Sequence, residues 1–449
     1  MSIFFSNPPW WENKESRGFL RKKRWRRGVR AGSRWPFTYL GRCNPDNPRA
    51  KDYIPYPYFL GYATTYVASR IGEKNVFFRD SIAMSESYNS FFKYLDSIQY
   101  KIEYYLIESA TPSWEHDYKL IKKIKGKYPH LKIIVAGPIS TSDQSWDSDI
   151  VYAVLKGEYE KNVMKILNGQ NGVMLHDLLT LEEMNKAPYP YYDKNIFDKY
   201  FDGNPIPMNK LSPQAHILTS RGCPFKCIFC VWPAAMTGND PDGENKRSVR
   251  QYSPNYIEGF LDKLTKDYKF EAIYLDDDTF NIGNKHTENI SKVVGKFNIP
   301  WFAMCRADTC RKATWQLMKN NGCQGVKIGI ESGSQYVVDK IVNKHLDLNY
   351  TREIVNHLRD LEMSVHGTFT YGLPGETKEQ MMETKNFIKN TNFNTVQESG
   401  TAEIEGTPLH TLNKKNLKNY PGANLNVDYD RQKDGGKKWQ GLVKSLQDN

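Results

Sequence analysis

The sequence predicts an α/β protein with two parallel sheets: an N-terminal doubly wound sheet and then a partial barrel of six strand-helix units. Three observations predict this class. Short apolar strands alternate with amphipathic helices up to about residue 170. The periodicity then fades into a stretch rich in Asn, Gly, Pro and Tyr, which we interpret as a linker over 171–212. A second strand-helix series follows over 213–410.

The first sheet is predicted within residues 1–170, with strands at Phe4-Phe5, 75–80, 104–108 and 131–136. Such alternation is typical of flavodoxin-like or Rossmann-like sheets, which bind ligands at the carboxyl ends of their strands. Small or polar residues follow these strands, as a large polar cofactor lying across the edge would need. They are Asn7, Asp80, Ser109, Thr111, Gly137, Pro138, Gly157 and Glu158.

A basic segment interrupts this first domain as an insertion over about 11–50. The net charge of the chain is +11, yet nine basic residues and no acidic residue lie between Arg17 and Arg34. With Trp25 and Trp35, the segment has the composition that holds phosphate-bearing ligands, nucleic acid or an acidic surface. A solvated arm packed by its tryptophans is the alternative. Gly28, Gly32 and Pro36 argue against one continuous helix.

The chain has no apolar run of the roughly 18 residues that span a bilayer, so we expect no membrane span. Its first residues lack the charged and apolar regions of a secretory signal, and we expect a cytoplasmic protein. Seven cysteines are too few for a disulfide scaffold and point instead to metal binding or chemistry.

The second series has predicted strands at 216–220, 272–275, 301–304, 326–330, 364–371 and about 395–400. Ser253 and Pro254 are typical of a helix start, and Thr377 with Gln380 has the spacing of a capping box. In such barrels the chemistry lies at the carboxyl ends of the strands. The tail over 411–449 either closes the barrel mouth or is a flexible end.

Three cysteines, Cys223, Cys227 and Cys230, follow the first strand of this series. A cubane of four irons held by three thiolates keeps one iron open. A structural zinc site would need a fourth ligand nearby, but the next cysteine, Cys305, is 75 residues further along. The spacing therefore favours an open iron-sulfur cluster over zinc.

This motif, with the aromatic Phe229 before the third cysteine, resembles that of the radical S-adenosylmethionine (SAM) superfamily. The resemblance implies that the open iron chelates SAM and that the reduced cluster cleaves it to a 5'-deoxyadenosyl radical. It also implies an external electron donor such as flavodoxin or ferredoxin.

The resemblance assigns the other strand ends to SAM. Its residues would be Phe229, Asp277, Asp278, Arg306, Glu331, Ser332, Gly372 and Pro374. Acidic residues at 276–278 stand where the superfamily usually has a Gly-Gly-Glu-like stretch. The remaining cysteines of the barrel (Cys305, Cys310 and Cys323) are interpreted as buried small residues, and His366 as a core histidine.

The N-terminal sheet, taken with this barrel, resembles the cobalamin-binding domain of the cobalamin-dependent radical SAM subgroup. The residues after the first-domain strands named above would then hold cobalamin. The Asp-x-His-x-x-Gly motif of other cobalamin proteins is absent, because Ser81-Ile82-Ala83-Met84-Ser85 follows Asp80. Any cobalamin is therefore expected base-off and without a histidine ligand. The alternative is a sheet that binds no cobalamin.

The resemblance implies a cobalamin-dependent radical SAM methyltransferase that methylates an unactivated carbon, and no catalytic acid or base is assigned. One alternative is a non-methylating cyclisation, rearrangement or oxidation. A methylthiotransferase would carry a second cysteine triad, but only Cys43 precedes Cys223. A remote alternative is a nucleic-acid-binding iron-sulfur protein; nucleic acid is not expected as a partner. The substrate is a small molecule or peptide, and the basic segment favours an anionic one.

Overall fold

The computed structural model describes residues 1–15, 23–28, 37–38, 53–142, 144–205, 207–230, 235–236, 249–401 and 407–410. The predictions for the 411–449 tail and for most of the basic segment lie outside these residues. The described chain divides into two compact units. The first runs to Asp202 and takes in Pro213–His216, and the second contains Gly203–Ser212 and resumes at Ile217.

The first unit is built on a six-stranded sheet. In chain order the strands of the unit are β1 (Ile3–Asn7), β2 (Trp11–Glu15), β3 (Lys23–Gly28), β4 (Phe37–Thr38), β5 (Val76–Asp80), β6 (Tyr104–Glu108), β7 (Lys132–Ala136), β8 (Val151–Leu155) and β9 (Gly172–Met174). The sheet order is β5-β1-β6-β7-β8-β9, and all its pairings are parallel. The strand order reverses at β1, so the β1/β6 boundary is the switch point where such sheets bind ligands.

Burial explains why these strands were recognisable in the sequence. Every residue of β1 and of β6 is buried, and strands buried on both faces form continuous apolar runs. The helices of the unit are Tyr58–Ile71, Tyr88–Ile98, Trp114–Lys127, Glu160–Leu167 and Leu181–Lys186. Their apolar sides supply the core: Phe91 and Leu95 from one helix, and Ile121 from the next, are fully buried.

Strands β2, β3 and β4, which follow β1 and precede the first helix along the chain, form a separate antiparallel sheet. The part of the basic segment that is described, Lys23–Gly28, is therefore a strand, in agreement with the prediction that no continuous helix forms there. A Cβ atom at Gly28 would lie 2.0 Å from the Trp10 ring, so this strand end requires glycine.

Residues 171–212, predicted as a linker, contain regular structure. Strand β9 extends the first sheet, and the helix Leu181–Lys186 has a capping box made by Thr180 and Glu183. These elements are too short for their periodicity to be visible among the surrounding Asn, Gly and Pro residues.

Another six-stranded sheet forms most of the second unit, although residues 214–216 of its first strand are assigned to the first unit. The strands are β10 (Gln214–Ile217), β11 (Ser220–Arg221), β12 (Arg250–Gln251), β13 (Ala272–Leu275), β14 (Trp301–Cys305), β15 (Cys323–Glu331), β16 (Ser364–Tyr371) and β17 (Thr395–Gly400). The sheet order β10-β13-β14-β15-β16-β17 follows chain order, and β13 to β17 pair in parallel. This order is the one expected of a strand-helix series that forms part of a barrel.

Helices follow most of these strands, at Pro254–Asp267, Asn284–Gly295, Lys312–Asn320, Leu348–Asp360 and Lys378–Lys389, and a π-helix spans Val337–Ile341. The Ser253 cap and the Thr377 capping box are confirmed. Among the described residues, no helix is both long and apolar enough to cross a membrane.

Candidate functional site

The cysteine loop begins after β11, which pairs antiparallel with β12 and so ties the two ends of the loop together. Cys223 is buried, whereas Cys227 and Cys230 are half-buried, and none of the three is in a disulfide. The Cys230 N–H donates to the carbonyl of Cys227 at 3.1 Å, forming a tight turn. Cys223 also interacts electrostatically with Cys227. The loop thus presents three thiols from one short segment.

The buried Cys223 thiol lies 3.6 Å from the Thr279 hydroxyl, which in turn donates to the carbonyl of Asp278 at 2.7 Å. Burial, with the nearby Asp278 carboxylate, raises the pKa of the Cys223 thiol to about 11. Thr279 was not predicted as a site residue, because a threonine four residues after a strand carries no signal in the sequence.

Three thiols on one loop are a donor set that suits an iron-sulfur cluster with one open iron. Within the described residues, no group of three or more His, Cys, Asp or Glu side chains is already arranged to hold a metal ion.

Asp277 is fully buried and its carboxylate is occupied by neighbouring groups. It accepts bonds from the Thr219 N–H at 2.9 Å, from the Thr219 hydroxyl at 3.1 Å and from the Ser220 hydroxyl at 2.6 Å. Burial raises its pKa to about 6. Asp277 therefore fixes the strand that leads into the cysteine loop, and its contact with SAM stays a prediction.

Arg306 is 4% exposed and makes a fork-like pair with Asp308, at 2.5 and 2.9 Å. Its Nη2 also donates to the carbonyl of Lys344 at 2.6 Å, and its guanidinium lies 3.8 Å from the centroid of the Phe225 ring. Among the described residues its buried Nη1 has no hydrogen-bond partner. A buried guanidinium with a spare donor beside the cysteine loop suits a carboxylate ligand.

Glu331 ends β15 with a φ of +76° at a register shift, which turns its side chain toward Lys344 and Thr370. Its carboxylate accepts from the Lys344 ammonium at 3.0 Å and from the Thr370 hydroxyl at 3.1 Å. The Glu331 and Lys344 side chains are only 12% and 10% exposed. Burial opposes the charge on Lys344, but the Glu331 carboxylate and Cys227 outweigh it and raise the Lys344 pKa.

Ser332 faces the following helix, because its hydroxyl is 2.9 Å from that of Thr384. The Gly372-Leu373-Pro374 turn is held by Glu376, whose carboxylate accepts from the N–H groups of Gly372 at 2.7 Å and Leu373 at 3.2 Å. Gly372 has a φ of +70°, and Pro374 is buried. Glu376 was missed from the sequence because its role is to shape a turn.

The predictions for the other three barrel cysteines and for His366 agree with the structure, whereas the SAM contact of Phe229 stays a prediction. Cys305, Cys310 and Cys323 are buried. His366 is 2% exposed and lies 2.7 Å from the Thr395 hydroxyl, as expected of a core histidine. Phe229 packs with Cys227 against a cluster of apolar side chains formed by Val337, Ile341, Val342 and Leu373.

In the first unit, Asn7 and Asp80 meet at the carboxyl ends of β1 and β5. The Asn7 amide donates to Asp80 at 2.9 Å, and the Asp80 carboxylate also accepts from the Ile82 and Ala83 N–H groups and from Tyr200. Burial raises the pKa of Asp80 to about 6. Asp80 thus organises the turn after β5.

Other hydroxyls at this edge differ in their partners. The Ser109 hydroxyl donates to Asp117 at 2.7 Å, but the buried hydroxyls of Thr111, Ser140 and Ser142 have no hydrogen-bond partner among the described residues. Buried hydroxyls are normally satisfied by protein groups, water or ligands, so these three are available to water or to a polar ligand.

Two glycines at this edge have positive φ values and lie close to other segments of the chain. Gly137 has a φ of +88°, and a Cβ atom there would lie 2.5 Å from the carbonyl oxygen of Ser109. Pro138 follows it and is buried. Gly157 also has a positive φ, of +80°, and the next residue, Glu158, is 1% exposed.

Residues 217–388 match the model of the radical SAM superfamily. An uncharacterized methyltransferase of Pyrococcus horikoshii is 26% identical over 269 residues, which cover 58% of this chain and 54% of that protein. A cytidylyl-2-hydroxyethylphosphonate methyltransferase of Streptomyces wedmorensis is 25% identical over 244 residues, covering 51% and 43%. The chain therefore spans about half the length of these two relatives.

The fold is also similar to that of a solved structure, the radical SAM methyltransferase TsrM of Kitasatospora setae with cobalamin and a [4Fe-4S] cluster bound. The TM-score is 0.62 at 13% sequence identity, and the match covers 79% of this chain and 71% of the other. This likeness is one of fold.

Proposed function

We propose that this chain, whose residues 217–388 match the radical SAM superfamily, is a cobalamin-dependent radical SAM methyltransferase acting on an unactivated carbon. The observation that carries the proposal is the loop with Cys223, Cys227 and Cys230 directly after the first strands of that region. The methyltransferase names of two relatives support the reaction class.

The three cysteines would hold a [4Fe-4S] cluster, and the buried Arg306 would bind the carboxylate of SAM through its spare Nη1. Together these cofactors supply a 5'-deoxyadenosyl radical. Phe229, Asp277, Asp278, Glu331, Ser332, Gly372 and Pro374 remain proposed SAM residues, and Asp277 also holds the strand that leads into the cysteine loop. The apolar side chains packed around Cys227 would limit the access of water to this side of the loop.

The carboxyl edge of the first sheet would hold cobalamin. The buried hydroxyls of Thr111 and Ser140, which have no hydrogen-bond partner in the described part of the chain, support this assignment. Bound there, the corrinoid supplies methyl transfer. The turn after Asp80 contains no histidine, which supports a base-off form without a histidine ligand.

The substrate is proposed to be an anionic small molecule or peptide. Nine basic residues between Arg17 and Arg34 support an anion, and the Streptomyces relative is named for a phosphonate substrate, which is itself anionic. The reductant would be an external donor such as flavodoxin or ferredoxin. A reduced iron-sulfur cluster also supports a cytoplasmic location.

Incubation of anaerobically reconstituted protein with SAM, dithionite and hydroxocobalamin tests this function. We expect both 5'-deoxyadenosine and S-adenosylhomocysteine by mass spectrometry. Formation of 5'-deoxyadenosine alone would remove methylation in favour of a cyclisation, rearrangement or oxidation. Formation of neither product would remove the radical SAM assignment.

Titration with hydroxocobalamin tests the first-sheet site. Thr111→Val removes a buried hydroxyl while keeping its shape, so loss of one ligand hydrogen bond should raise the corrinoid Kd by about 3- to 10-fold. The control, Ser97→Ala on the exposed side of the helix Tyr88–Ile98, should leave Kd unchanged. An unchanged Kd in Thr111→Val would place the corrinoid elsewhere.

A further inference from the structure

A short segment of the second unit, Val342–His345, contacts the cysteine loop on both sides of Cys227. The backbone N–H of Ile228 donates to the carbonyl of the first residue of the segment at 2.9 Å. The amide of Asn343 donates to the carbonyl of Lys226 at 3.3 Å. Cys227 is therefore fixed between two hydrogen bonds to one segment.

The same segment contacts two proposed SAM residues through Lys344. The Lys344 ammonium lies 3.0 Å from a carboxylate oxygen of Glu331. The backbone carbonyl of Lys344 accepts a hydrogen bond from Arg306 at 2.6 Å. Lys344 also interacts electrostatically with Cys227. The buried Lys344 thus contacts both Glu331 and Arg306 and interacts with Cys227, a proposed cluster ligand.

The backbone of the segment is held in an uncommon shape. Asn343 and His345 have φ values of +59° and +52°, and the preceding residues form the π-helix Val337–Ile341. Left-handed backbone at residues other than glycine costs free energy and persists where the surrounding structure enforces it. Cys227 packs against two residues of that π-helix, Val337 and Ile341.

The charges of Lys344 and Glu331 affect how readily a cluster held by the three cysteines is reduced. Reduction adds negative charge to a cluster, so a nearby ammonium favours the reduced state and a nearby carboxylate opposes it. Interactions between charges so little exposed are weakly screened by water. The Lys344–Glu331 pair therefore carries two opposing influences on a cluster held by Cys227.

We propose that Lys344 is a positioning residue that holds Glu331 and the Cys227 side of the loop, and that its ammonium raises the reduction potential of the cluster. The inference rests on the proposed function, because it requires a cluster on the three cysteines.

The test is a redox titration of full-length, anaerobically reconstituted protein without SAM, followed by electron paramagnetic resonance of the reduced cluster. Lys344→Met should make reduction about tenfold less favourable, which is about 59 mV lower for a one-electron couple. Glu331→Gln should move the potential upward. The control, Lys340→Met, removes an exposed lysine from the neighbouring π-helix and should leave the potential at the wild-type value.

Iron analysis of each variant separates the possible failures. If Lys344→Met takes up no cluster, the reduction potential of Glu331→Gln decides whether the proposal holds, and an upward shift of that potential supports it. Wild-type potentials in cluster-loaded Lys344→Met or Glu331→Gln would overturn it while leaving the proposed function intact. A wild-type protein that takes up no cluster would overturn both.

Discussion

At the scale of single residues, two acidic side chains at strand ends hold neighbouring parts of the protein, while their cofactor contacts stay predictions. Asp80 and Asp277 were both predicted to contact cofactors because each ends a strand, and in the structure each accepts several bonds from its own neighbourhood. Sequence position located them at the correct edge of the correct sheet. It gave no information on which side chains point inward, since that depends on partners such as Thr219, 58 residues away in the chain.

Glu376 permits a test of pH dependence. Burial raises its pKa from 4.5 to about 7. The folded state therefore binds the proton more tightly than the unfolded state, and the contribution of this carboxyl to stability falls as pH rises from about 4.5 to 7. Glu376→Gln keeps an oxygen acceptor for the Gly372 N–H but does not titrate.

The free energy of unfolding of Glu376→Gln, relative to wild type, should thus increase by about 3 kcal/mol between pH 4.5 and 7. Urea unfolding across this pH range measures it. Glu379→Gln, an exposed carboxylate in the first turn of the following helix, is the control and should show no such increase. If the free energy of unfolding of Glu376→Gln relative to wild type does not vary with pH, the raised pKa of Glu376 is contradicted.

At the scale of elements, the contact between the turn after β15 and the helix Lys378–Lys389 depends on Gly333. A Cβ atom there would lie 2.5 Å from the Cβ of Phe387 and 2.6 Å from the Cα of Thr384. Gly333→Ala should therefore force the helix away and destabilise the protein by about 1–3 kcal/mol in urea unfolding.

The matched control is Gly126→Ala in the helix Trp114–Lys127, where a Cβ atom meets nothing within 4 Å. Because alanine lowers the entropy cost of forming a helix, this change should stabilise by about 0.5–1 kcal/mol. If Gly333→Ala and Gly126→Ala change the free energy of unfolding equally, the close approach of the helix to Gly333 does not contribute to stability.

Elements differed in how well the sequence predicted them. Long apolar strands and capped helices, such as β16 and the helix after Thr377, were predicted close to their observed bounds because burial and capping leave local patterns. Strand β9 was missed, since its three residues are largely exposed. The π-helix Val337–Ile341 was missed as well, because its apolar residues fit an ordinary helix equally well.

At the scale of the whole molecule, the account depends on two sheets with different tasks. The first sheet has buried hydroxyls without a partner among the described residues at its carboxyl edge, and the second carries three thiols and a buried arginine at its own. The spacing of Cys223, Cys227 and Cys230 was sufficient to predict the second site. The ligand of the first site was predicted only through the resemblance to a cobalamin-binding domain, because serine and threonine after a strand are common in any loop.

Iron and acid-labile sulfide analysis of anaerobically purified full-length protein tests the central claim most directly. The account predicts about four of each per chain. It also predicts their loss when Cys223, Cys227 and Cys230 are all changed to alanine, and their retention when the buried Cys305, Cys310 and Cys323 are changed instead. Zinc in place of iron, or iron that survives the first triple substitution, would contradict it.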